Sequence, residues 1–117
     1  MQPLRADSCV LVLDSDVLGR GDDDLGSLLI VNFLRTLAFR DDVPGTVICY
    51  NTGVKLAEKG SDAVPILATL AQKGADIVLC GTCVNHFQIS DRIDIGRVSN
   101  MQEIVDILAR AGKVLYS

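Results

Sequence analysis

The sequence has no tryptophan, and its two tyrosines and three phenylalanines bring aromatics to only 4% of 117 residues. Such a surface offers few rings for bases to stack on. With 11 Lys and Arg against 15 Asp and Glu the net charge is −4 and no basic stripe forms, so nucleic acid is not an expected partner. No apolar run is long enough to span a bilayer. The stretch after Met1–Asp7 is too short for a signal-peptide core and is soon broken by Asp14 and Asp16, so a cytoplasmic protein with reduced thiols is expected. Linkers, repeats and low-complexity tracts are missing as well, which leaves a single domain over 1–117. A chain of this length buries roughly two-thirds of its unfolded surface and needs neither disulfides nor a structural metal to fold.

What the chain does have is an apolar content of 49%, drawn mainly from Val, Ile, Leu and Ala, which suits a parallel sheet covered by helices. Cys9–Leu13 is a continuous apolar run stopped by Asp14-Ser15-Asp16, and reads as a strand buried on both faces. After the loop Gly19-Arg20-Gly21, residues Asp22, Asp23 and Asp24 supply an N-cap and first-turn charge for a helix reaching about Phe39. Leu25, Leu29 and Phe33 point one way around that helix and Ile30, Leu34 and Leu37 another. It therefore calls for a second packing partner, and a homo-oligomer is expected. The turn Pro44-Gly45 precedes a strand at Thr46–Tyr50, and a short helical piece at Val54–Ala57 follows. A further helix runs from Gly60-Ser61-Asp62 to Lys73-Gly74, with Pro65 tolerable near its first turn. A strand at Asp76–Cys80, a cysteine loop, a short strand at Arg97-Val98, a helix from about Asn100 to Ala111 and a strand at Lys113–Tyr116 complete the pattern. The sum is an α/β fold, a three-layer α/β/α sandwich around a mostly parallel sheet of about five strands.

In such sheets ligands bind beyond the carboxyl ends of the strands. Those ends carry Asp14-Ser15-Asp16, then Asn51-Thr52-Gly53 with Lys55, then Cys80 and Cys83, then Ser99-Asn100, and all should converge at one rim. Asn51, Gly53, Lys55, Thr82 and Asn100 are the candidate binding residues. The most specific chemistry lies in Cys80-Gly81-Thr82-Cys83, where a buried strand meets a helix start. Unpaired backbone N–H groups there carry about half a unit of positive charge, a field that favours the thiolate, which is the nucleophile. Cys83, in the loop, is the expected nucleophile, and Cys80 serves either packing or chemistry. Cys9 and Cys49, inside strands, are expected to be inert small hydrophobes, protected in the native state. His86 extends the pair to Cys-x-x-Cys-x-x-His, but three ligands from one short loop leave a zinc site unclosed. No metal is expected, and His86 reads as a surface or packing residue.

A dinucleotide cofactor is not expected either. Gly19-Arg20-Gly21 follows the first strand, yet the next glycine is Gly26, and Asp22–Asp24 would set carboxylates where a pyrophosphate belongs. Lys55 is by default a solvated helix lysine whose position can bring an ammonium toward an anionic sulfur species.

Four motifs, taken in order, resemble one family. Gly19-Arg20-Gly21-Asp22-Asp23 with Leu25-Gly26, Tyr50-Asn51-Thr52-Gly53-Val54-Lys55-Leu56, Cys80-Gly81-Thr82-Cys83 and Gly96-Arg97-Val98-Ser99-Asn100-Met101 look like the DsrE-like domain of YedF-type proteins associated with selenium metabolism. The resemblance covers nearly the whole chain. It implies a DsrE-like fold, oligomerisation, and kinship with sulfur-relay proteins that carry sulfur on a cysteine in this loop, here Cys83, with Cys80 beside it. YedF-type proteins commonly also carry a small TusA-like domain with a Cys-Pro motif. In this chain Cys9 is followed by Val10, and Pro3, Pro44 and Pro65 do not follow cysteine, so either that domain lies on another chain, with a TusA-like carrier or sulfur-donor protein as the expected partner, or this sequence is a piece cut from a longer protein.

Three functions fit this reading. One is a sulfur or selenium carrier, sulfurtransferase-like, holding a persulfide-type atom on Cys83 for relay between proteins. Another is a non-catalytic oligomeric module whose rim binds a small ligand or partner. A thiol-disulfide redox protein cycling Cys80 and Cys83 is the third.

Overall fold

Strand β1 (Cys9–Leu13) leads through α1 (Asp23–Ala38) to β2 (Thr46–Cys49), then through a 3-10 segment (Asn51–Ala57) and α2 (Val64–Gln72) to β3 (Asp76–Cys80). From there α3 (Gly81–His86), β4 (Arg97–Ser99), α4 (Met101–Arg110) and β5 (Lys113–Tyr116) complete the order. This computed structural model describes residues 8–117, and the reading of Met1–Asp7 lies outside the described residues. The five strands form one sheet in the order β4-β3-β2-β1-β5, and every pairing in it is parallel. The sheet is thus wholly rather than mostly parallel. Among the described residues no helix is long and apolar enough to cross a membrane.

The three central strands are the ones with unbroken apolar runs, and β1, β2 and β3 are buried along nearly their whole length. The edge strands β4 and β5 are more open. Cys9, at the outset of β1, is partly exposed, so the expectation that it is protected fails: the apolar run starts one residue before burial becomes complete. Cys49, the last residue of β2, is fully buried.

Helix α1 starts where its aspartates put it, with the Asp22 carboxylate accepting the Leu25 N–H at 2.9 Å and Asp23 and Asp24 in the first turn. It buries a single stripe, Gly26, Ile30, Leu34 and Ala38, at i, i+4 spacing. Leu25 and Leu28 stay 53% and 58% exposed. On the second apolar side of α1 Leu29 is also exposed, while Phe33 is partly buried and packs against the core. Helices α1 and α2 pack against each other. The step from β4 at one edge to β5 at the other reverses the direction in which the sheet is wound.

Several boundaries differ from the sequence reading, β2 ending at Cys49, α2 starting at Val64 and β4 reaching Ser99, and two further differences bear on the site. The Tyr50 carbonyl already accepts the Gly53 N–H at 3.0 Å, so the 3-10 turn begins at Asn51 rather than at Val54. The cysteine loop is not a loop: α3 follows β3 directly, with Cys80 as its N-cap. Gly81 suggests a loop, but it has a steric reason to be glycine. A Cβ there would lie 2.6 Å from the Ser99 carbonyl oxygen, where the end of β4 passes the start of α3.

Candidate functional site

Side chains at the N-cap and at the third helical position face each other across the first turn, the juxtaposition that capping boxes use. Cys80 and Cys83 occupy those two positions in α3, and their sulfurs are 3.0 Å apart, the Cys83 thiol donating to Cys80. Both are free thiols. Cys80 is 1% exposed, whereas Cys83 is partly open. The outer sulfur is thus the second of the pair, presented from the first turn of a helix and backed by a buried one.

A third group closes on the pair from the neighbouring strand. The Asn51 backbone N–H donates to Cys83 Sγ at 3.1 Å. Asn51 can aim that N–H because its φ is +52°, the left-handed region that asparagine tolerates better than most residues. Its own side chain is spent locally, Oδ1 accepting the Thr52 N–H at 2.8 Å. What Asn51 contributes to the site is its main chain.

Beyond Asn51 the rim is tied to the end of β1. Thr52 Oγ1 accepts the Asp16 N–H at 3.2 Å and donates to Ser15 Oγ at 3.4 Å, while Ser15 Oγ also accepts the Val17 N–H at 3.1 Å. Gly53 sits where a side chain would run into the Leu13 carbonyl. It lets the 3-10 segment cross the tip of β1. Thr52, not singled out beforehand as a candidate, holds the two strand ends in register, a role hidden in the sequence because its partners are 36 and 37 residues away.

The other expected site residues fall out differently. Lys55 lays its ammonium 4.5 Å from the centre of the Phe87 ring, just past α3, in a cation–π contact rather than free in solvent. Phe87 in turn meets His86 edge to face, with ring centres 5.0 Å apart. Thr82 is exposed beside Cys83. Asn100 is the N-cap of α4, its Oδ1 accepting the Glu103 N–H at 2.8 Å. The structure therefore brings Asn51, Gly53, Cys80 and Cys83 together at the carboxyl rim and gives Asn100 a helix-capping task. Among the described residues no group of three or more His, Cys, Asp or Glu side chains is arranged to hold a metal ion.

Electrostatics corrects the expectation of a favoured thiolate. Burial pushes the Cys83 thiol above its ordinary 9.0, and the hydrogen bond and charge of Cys80 push the same way. The Asn51 N–H pulls it down without winning. The net direction is upward, with burial the largest cause. Cys49, fully buried, is pushed by desolvation up to about 12.

Solved structures of the same architecture exist. The protein of unknown function MTH1491 from Methanobacterium thermoautotrophicum aligns over 93% of this chain and 97% of its own, with a TM-score of 0.66 and 20% identity. The ychN protein from E. coli aligns over 92% and 97%, with 0.62 and 18%. BT1422 from Bacteroides thetaiotaomicron, a conserved protein of unknown function, aligns over 99% and 100%, with 0.65 and 16%. At these identities the likeness is one of fold. Among curated proteins, succinyl-diaminopimelate desuccinylase of Granulibacter bethesdensis is 29% identical over 107 residues. That match takes in 90% of this chain but 28% of the desuccinylase, so the chain spans little more than a quarter of that relative. Residues 31–116 match the DsrE/DsrF-like family, a stretch running from the middle of α1 through the cysteine pair into β5. On that match the chain belongs to the DsrE/DsrF-like family, which is associated with sulfur relay.

Proposed function

We propose that the protein is a YedF-type, sulfurtransferase-like carrier that accepts a persulfide-type sulfur or selenium atom on Cys83 and hands it to another protein by thiol exchange. The observation that carries the reading is the placing of Cys83: a partly open sulfur at the carboxyl rim, held by the Asn51 N–H at 3.1 Å. A carrier needs one sulfur that a donor can reach and an acceptor can attack, with its neighbours fixed in place. Cys80 and Cys49 are too buried to be reached, and Cys9 begins β1, away from the rim. On this reading the protein works in the cytoplasm as a homo-oligomer assembled through α1, and exchanges cargo with a sulfur-donor or TusA-like carrier protein. The uncovered Leu25 and Leu28 support the assembly.

Intact-mass spectrometry after incubation with glutathione persulfide tests the reading. Loading should depend on Cys83, survive in Cys80→Ser and vanish in Cys83→Ser. Loading that persists in Cys83→Ser would move the carrier sulfur elsewhere, and failure of both the parent and Cys80→Ser to load would remove the reading.

A further inference from the structure

A carrier requires one sulfur, and this site has two in contact. Cys80 lies 3.0 Å from Cys83 and is 1% exposed. A donor protein cannot reach it, so it is not a second loading point. It can reach one electrophile only, Cys83 Sγ when that sulfur carries a further atom. The separation is about 1 Å longer than a disulfide bond of roughly 2.05 Å, a gap that small side-chain rotations close.

We infer that Cys80 is an internal resolving thiol: when Cys83 carries a persulfide, Cys80 attacks Cys83 Sγ, closes a Cys80–Cys83 disulfide and expels the terminal atom as hydrosulfide, or as hydroselenide when the cargo is selenium. This rests on the reading of Cys83 as the carrier sulfur and adds a second activity to it, release of the cargo in its fully reduced inorganic form. The step balances within the site. A Cys80 thiol and a Cys83 persulfide anion become a disulfide and HS⁻, one S–S bond forming as another breaks. The thiol proton ends on the departing atom, which leaves with the bonding pair and is thereby reduced, while the two cysteine sulfurs are oxidised to the disulfide. No outside oxidant is consumed. Resetting the site takes two electrons from a small thiol or dithiol reductant, which enters by exchange at Cys83, the partly open sulfur.

The geometry also gives the step a direction. Displacement at sulfur runs in line, so the leaving atom must lie on the side of Cys83 away from Cys80. Cys80 is the buried side of the pair, and the cargo therefore leaves toward the open rim. The chain offers two fates for one atom, handover to an acceptor protein when one is docked, and expulsion by Cys80 when none is.

The full chain is reduced, loaded with glutathione persulfide, freed of small molecules, and followed by intact mass while released sulfide is trapped. The parent should release one sulfide per disulfide formed and end two hydrogens lighter than the reduced protein. Cys80→Ser and Cys80→Ala should both stay one sulfur heavier, with a persulfide lifetime at least about tenfold longer, since an adjacent thiol outcompetes any dissolved one. Two variants are used because a serine hydroxyl could upset the buried position where alanine would not. A parent that holds its persulfide as long as either variant does, with no sulfide released, overturns the inference and leaves the carrier reading standing. Failure of Cys83 to load in parent and variants overturns both.

Discussion

Thiol reactivity in this protein should be set by burial, and the four cysteines allow the point to be measured inside one molecule. Cys49 has no exposed surface and a thiol pushed up to about 12 from an ordinary 9.0. At about pH 8 an ordinary cysteine is thiolate in roughly one molecule in ten, and Cys49 in roughly one in ten thousand. Its alkylation should be slower by about a thousandfold before access is counted, and access requires local opening. Cys83 is also raised, so its thiolate fraction lies below that of an ordinary cysteine, but its sulfur is partly open. A native-state pulse of iodoacetamide, followed by denaturation, digestion and peptide mapping, should label Cys83 at least about a hundred times faster than Cys49. Cys80 should be protected, and Cys9, partly open at the outset of β1, serves as the internal reference. The pH profile separates the two physical accounts of Cys83. Because burial and Cys80 raise its titration, its labelling rate should still be climbing above about pH 9. A Cys83 rate that levels off below about pH 8 would mean that the helix-start field dominates and that the burial argument is wrong. Labelling of Cys49 within tenfold of Cys83 would overturn its placement in a buried strand.

The same titration has a stability consequence. A folded thiol at about 12 against an unfolded one near 9 keeps its proton in the native state where the unfolded chain has lost it, so its contribution is intact below about pH 9 and disappears as pH rises toward 12. By about pH 10.5 the loss should reach about 2 kcal/mol in urea denaturation, and Cys49→Val should remove that component of the slope; a variant with the parent's pH dependence would refute the assignment. Gly53→Ala should destabilise by about 2–3 kcal/mol, because the new Cβ meets the Leu13 carbonyl at the crossing of two buried segments, and unchanged denaturation would show that the crossing can yield. Light scattering should find a homo-oligomer that Leu28→Glu breaks into monomers without loss of helical signal; a parent that is monomeric at high concentration would refute assembly through α1.

Much of this protein is decided by local pattern alone. Unbroken apolar runs fixed β1, β2 and β3 because a strand buried on both faces needs apolar residues at every position, and Asp22–Asp24 fixed the start of α1 because its first N–H groups need acceptors. The cysteine pair was legible as chemistry from its place at a strand end. Its geometry was not. Whether Cys83 is in a loop or a helix turned on Gly81, whose reason lies in Ser99 on another strand. That Asn51 would serve through its N–H, that Thr52 would hold Ser15 and Asp16, and that Lys55 would rest on Phe87 are contacts between residues about thirty or more positions apart. Sequence spacing carries no information about them. The state of the Cys83 thiol is the clearest case: from the sequence a helix start is expected to lower it, and only the packed fold supplies the desolvation and the second sulfur that raise it.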